Sequence, residues 1–64
     1  MFVTDKDTYN SVRLNAREVL DVKSGTVGTT VLMKDGKSHL VDESEQHIKS
    51  LMLVDLTSNI MENV

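Results

Sequence analysis

The sequence has no cysteine, no proline and no tryptophan, and its aromatic residues are Phe2 and Tyr9 alone. Without cysteine there can be no disulfide and no thiolate metal site, and the absence agrees with a cytoplasmic location. Aromatic side chains bury the most area each, so with two of them the core has to be built from Val, Leu, Ile and Met. No stretch of about 18 apolar residues occurs, and the N-terminus lacks the basic and apolar regions of a signal peptide. Membrane insertion and export are therefore not expected. Repeats, low-complexity tracts and sustained heptads are also missing.

What remains is a chain of 64 residues, read as one domain close to the size at which folding alone becomes marginal. Ordering it costs roughly 1.5 kcal/mol per residue, which apolar burial must nearly match. Self-association is the natural way to enlarge so small a core. Charge is unevenly placed: residues 1–41 carry six bases and five acids, whereas residues 42–64 carry Lys49 against Asp42, Glu43, Glu45, Asp55 and Glu62. An acidic second segment argues against direct nucleic-acid binding, which needs a basic stripe.

The clearest local signal is Thr29 to Val41. Two β-rich runs, Thr29–Met33 and Lys37–Val41, flank Asp35-Gly36, which suits a two-residue type I′ turn. That turn pairs Met33 with Ser38, Leu32 with His39, Val31 with Leu40 and Thr30 with Val41. One face then carries Val31, Met33 and Leu40, the other Leu32, His39 and Val41, so both sides need cover.

Upstream, Met1–Thr4 reads as a short edge strand, Asp5–Thr8 as a turn, and Tyr9–Asn15 as a half-buried strand with Val12 and Leu14 on one side. Asn15 can cap a single helical turn, Val19–Lys23 resumes strand character, and Ser24–Gly28 is a glycine-containing loop. The fold class expected is α+β: a small antiparallel β-meander of four to five strands over residues 1–41, then one C-terminal helix and tail over residues 42–64. Asp42-Glu43-Ser44-Glu45 fits a capping box with Asp42 as cap and Glu45 reaching back, three carboxylates suiting the positive helix end. Ile48, Met52, Leu56 and Ile60 then recur at i+4, with Leu51 widening the stripe and Leu53 and Val54 outside it. Leu51–Val54 alone also fits a short buried strand; the cap and the length that follows favour helix. Thr57-Ser58-Asn59 lowers helix propensity and leaves its end open.

No catalytic or cofactor-binding constellation emerges. His39 and His47 lack metal-ligand spacing and read as a sheet-face and a solvent-facing residue. Ser44, His47 and Asp55 have the residue types of a hydrolase triad, but Ser44 and His47 fit helix capping and surface better. Glu43 and Glu45 point to different sides of a helix rather than into one cleft, and Lys34–Lys37 is too short for a phosphate loop. The wide helix stripe has two readings: all of it packs on the protomer's own sheet, or part of it, including Leu53 or Val54, docks on a second copy or another protein. Apolar residues on both hairpin faces favour the second.

The run Leu14-Asn15-Ala16, Val19-Leu20-Asp21-Val22, Thr29 to Lys37 with its Asp-Gly-Lys turn, and Leu40-Val41-Asp42-Glu43-Ser44 before a helix resembles the small FlbD/SwrD family of flagellar proteins. The likeness spans roughly residues 2 to 52; the Asp5–Asn10 connection is longer than the family's asparagine-glycine turn, and the tail after Val54 differs. The resemblance implies a non-enzymatic accessory protein linked to flagellar motility. The expected function is thus protein binding by a homo-oligomer and an unidentified protein partner, with Leu51, Met52, Leu53, Val54 and Leu56 as apolar contacts and Glu43, Glu45 and Asp55 setting partner choice. The alternative, drawn from the acidic segment, is a phage-type inhibitor of a host enzyme or nucleic-acid-binding protein.

Overall fold

The computed structural model describes the backbone of residues 1–62 and the side chains of residues 1–57. Its elements run β1 (Phe2–Thr4), β2 (Ser11–Arg13), a 3-10 turn (Ala16–Glu18), β3 (Val19–Ser24), β4 (Thr29–Met33), β5 (Ser38–Val41) and α1 (Glu45–Glu62). The layout is α+β, as expected. The strands do not form one meander, however: β1 and β2 make a two-stranded antiparallel sheet, and β3, β4 and β5 make a second of three. The break lies at the 3-10 turn, where Asn15 Oδ1 accepts from the Arg17 N–H at 3.0 Å. This side-chain cap stops the chain from continuing as strand, so β3 begins beside β4 rather than beside β2.

The two sheets meet through β1 and β5. Asp5 bridges to Val41, the Lys6 N–H donates to the Leu40 carbonyl at 3.0 Å, and the Asp42 N–H donates to the Thr4 carbonyl at 2.9 Å. The connection between β1 and β2 is closed without glycine. Asp5 Oδ1 accepts from the N–H groups of Asp7 and Thr8, the Tyr9 N–H donates to the Asp5 carbonyl, and Tyr9 itself takes φ 59°. Left-handed backbone is unusual for a bulky residue, and nothing in the local sequence announces it.

The central hairpin forms with a register one residue away from the expected one. Leu32 pairs with Ser38, Val31 with His39, Thr30 with Leu40 and Thr29 with Val41. Its loop has three residues, Lys34-Asp35-Gly36. The Gly36 N–H donates to the Met33 carbonyl at 3.0 Å and the Met33 N–H to the Lys37 carbonyl at 2.8 Å, while Gly36 takes φ 91°. That is a type I turn closed by a left-handed glycine. Asp35 keeps a negative φ and instead accepts from the Lys37 N–H. A slip of one residue regroups the faces: Thr29, Val31, Met33 and Val41 now share the buried side, while Leu32 and Leu40 are half-buried on the other.

The core draws one or more side chains from each region: Val3, Leu14, Val22, Val31, Met33, Val41 and Ile48 cluster, with Met1, Val12, Val19, Leu51 and Met52 packed against them. The helix starts later than the capping-box reading places it. Ser44 is the cap, its Oγ accepting from the His47 N–H at 3.1 Å and its carbonyl from the Ile48 N–H at 2.9 Å. Asp42 cannot serve, because its backbone is still paired with Thr4. The segment Leu51–Val54 is helix, and α1 passes through Thr57-Ser58-Asn59. The expected apolar contact of Ile60 lies outside the described side chains, and the last two residues of the tail lie outside the described backbone.

Gly28 has the least room of the three glycines: a Cβ there would sit 2.7 Å from the Val41 carbonyl oxygen. Gly28→Ala should therefore force β4 and β5 apart, with a loss of about 1–3 kcal/mol in chemical denaturation. Ser44→Ala should cost about 1 kcal/mol through the lost cap, whereas Asp42→Ala should leave the helix content by circular dichroism unchanged.

Candidate protein-binding surface

One side of α1 faces the core, and among the described residues nothing lies over the other. Ile48 is fully buried, Leu51, Met52, Asp55 and Leu56 are half-buried, and Leu53 and Val54 are 67% and 64% exposed. At about 100° per residue, Leu53 and Val54 fall roughly 140° and 120° to either side of Ile48. They are the back of the helix. The structure thus divides the five apolar residues expected at the contact: Leu51, Met52 and Leu56 partly serve the protomer's own core, and Leu53 and Val54 are left in solvent.

The three carboxylates expected to set partner choice are engaged within the molecule. Glu43 holds Thr4 twice, Oε1 accepting from its N–H at 2.8 Å and Oε2 from its Oγ1 at 2.9 Å. Glu45 accepts from the Ser24 N–H at 3.1 Å through Oε1 and lies 3.4 Å from Lys49 Nζ through Oε2. Asp55 Oδ2 sits 3.1 Å from the Met1 ammonium, which also donates to the Leu14 carbonyl at 2.9 Å. Glu43 and Glu45 tie α1 or its lead-in to a strand, and Asp55 ties α1 to the N-terminus. Their negative charge is largely committed to the fold.

Nearby, Asp42 pairs with Lys6 at 2.9 Å, and this hydrogen bond and charge raise the Lys6 ammonium above its ordinary value. The backbone N–H groups of Thr8 and Asp7 hold the Asp5 carboxyl below its ordinary 3.8. His39 is half-buried on β5 opposite Val31, and His47 is exposed. Ser44, Gln46, His47 and Ser50 line an open polar depression of about 290 Å³ at the start of α1. Ser44 Oγ is occupied by a backbone N–H, and Asp55 lies about 16 Å further along the helix axis, so the residues of a hydrolase triad are not brought together. Among the described residues no three His, Asp or Glu converge to hold a metal ion, and no helix is long and apolar enough to cross a membrane.

Phe2, Tyr9, Leu20 and Val27 are also exposed, which residue pattern alone does not reveal. Leu20 shows why. Alternation counted back from the buried Val22 turns Leu20 inward, but a bulge between Val19 and Asp21 makes Val19 the packed residue and sends Leu20 out. No family model, no curated protein and no solved structure matches the chain.

Two outcomes follow from this division of the helix. Ile48→Ala should lose about 2–5 kcal/mol, while Leu53→Ser should change stability by less than about 0.5 kcal/mol; urea unfolding distinguishes them. For Asp5, whose carboxyl is held low in the folded chain, the turn's hydrogen bonds are complete above pH 3.8 and weaken as pH falls through the native value. An NMR titration should place the Asp5 midpoint below 3.8, with the Asp7 and Thr8 amide shifts following it.

Proposed function

We propose that this chain is a non-enzymatic accessory protein that works in the cytoplasm by binding another protein, that it does so as a homo-oligomer, and that the uncovered side of α1 is its working surface. The observation that carries the reading is the exposed pair Leu53 and Val54 on a helix whose opposite side is already packed. Neighbouring apolar residues left in water are what an interface needs at its centre. The acids Glu43, Glu45 and Asp55 hold the helix in place and so present that pair on a fixed element. Binding through them would be driven by apolar burial and would change little with salt.

The resemblance to FlbD/SwrD proteins over residues 2 to 52 supports flagellar motility as the most specific form of this role. The alternative of an acidic phage-type inhibitor draws on the charge of residues 42–64. It has weaker support, because Glu43, Glu45 and Asp55 already have internal partners.

A photo-crosslinking residue at position 54, used in the native cell, should give a discrete adduct with another protein. The same group at position 37, next to the hairpin loop, should not. Sedimentation across a dilution series should show more than one copy at high concentration. A monomer throughout, with no adduct from position 54, would defeat the reading. Complex formation abolished at moderate salt would favour the inhibitor.

A further inference from the structure

The direction of each strand's backbone groups decides which sheet edges remain open. Met1 and Leu14 exchange both hydrogen bonds, at 2.9 and 2.8 Å. In an antiparallel pair such closed pairs alternate with open ones, so Val3 and Val12 are the next hydrogen-bonded pair. Phe2–Arg13 and Thr4–Ser11 lie between. The N–H and C=O groups of Ser11 and Arg13 therefore point away from β1, out of the sheet. Among the described residues nothing meets them.

Among the described residues the other edges are partly engaged. The outward side of β5 is taken by β1, through Lys6 to Leu40 and Asp42 to Thr4. On β3 the outward N–H groups belong to Val22 and Ser24, and both donate to carboxylates: Val22 to Asp21 Oδ1 at 2.9 Å and Ser24 to Glu45 Oε1 at 3.1 Å. The bulge at Leu20 further bends that edge. These are devices that block strand addition. Only β2 lacks them.

We infer that the outward edge of β2, Ser11–Arg13, is a self-association site that pairs antiparallel with the same strand of a second copy about a two-fold axis at Val12. The groups are self-complementary: Ser11 of each copy faces Arg13 of the other, and the four N–H and four C=O groups of these residues close four hydrogen bonds. No like charges come directly opposite. Val12, half-buried against the core, meets Val12 of the second copy across an open pair, where Cα atoms approach to about 4.5 Å. Its exposed remainder is covered there, and the core gains area that a chain of this size lacks. This deepens the homo-oligomer proposed above and rests on it for the second copy; it leaves Leu53 and Val54 free for a different protein.

Amide exchange read residue by residue, at low and high concentration of the intact chain, tests it. Ser11 and Arg13 amides should gain protection on concentrating, in step with the rise in mass by sedimentation. Arg13→Pro removes the outward N–H from both copies while leaving the β1–β2 ladder intact, since an edge strand tolerates proline there. It should weaken self-association about tenfold through two lost hydrogen bonds. Should that variant fail to fold, amide exchange of the unaltered chain decides alone. If copies associate while the Ser11 and Arg13 amides still exchange freely, or if Leu53→Asp abolishes association and Arg13→Pro does not, the inference falls and the homo-oligomer stands. A monomer at every concentration overturns both. Protection that appears only with another protein's peptide overturns the second copy as occupant.

Discussion

The Glu43 carboxylate clasping Thr4 is the contact on which the arrangement of this molecule turns. One residue of β1 gives up its N–H and its hydroxyl to a single side chain that lies between β5 and α1. Hydrogen bonds to an ionised acceptor are stronger than neutral ones, and these span most of the chain in sequence. With Asp42 paired to the Thr4 carbonyl beside them, they join the two sheets and hold Asp42 and Glu43 in a bend outside the helix. The helix can begin only at Ser44. Its direction over β3 is then set by Glu45 on Ser24 and Asp55 on Met1.

This anchoring gives the acids a structural role. Clustered carboxylates after Val41 look, in a linear reading, like a charged surface awaiting a basic partner. In the fold they are spread out: Glu43 reaches β1, Glu45 reaches β3, Asp55 the N-terminal ammonium and Asp42 the Lys6 side chain. Glu45 and Asp21 also close the β3 edge. A chain with five strands of three to six residues has much exposed backbone for its size, and side-chain carboxylates are a compact way to occupy it. What is left over is apolar on the helix and hydrogen-bonding on β2.

The central hairpin shows how far residue pattern reaches. Asp35-Gly36 correctly marks a turn, and Thr29–Met33 and Ser38–Val41 correctly mark its strands. The number of loop residues is not encoded in the dipeptide, since Asp-Gly fits both a two-residue loop and the end of a type I turn. What selects the three-residue loop is packing: it puts Val41 on the same side as Val31 and Met33, over Ile48 and Val3, and it leaves His39 at the rim. The same limit governs Leu20. Its place in the alternation is inward, and only the pairing of β3 with β4 makes room for the bulge that turns it out.

By itself the sequence determined the local chemistry: the Asn15-capped turn, the hairpin over Thr29–Val41, the inward set Val12 and Leu14, and the helix with Ile48 on its packed side. These depend on neighbours a few residues away, which periodicity and cap residues report directly. The tertiary structure alone decided that five strands divide into two sheets, that Ser44 rather than Asp42 caps the helix, and that Glu43, Glu45 and Asp55 have internal partners. The helix cap and these partnerships are set by hydrogen bonds between residues far apart in the chain, such as Glu43 with Thr4, and the sheets are joined by the distant pairing of Asp5 with Val41. No local pattern carries the information about which distant donor a carboxylate will find.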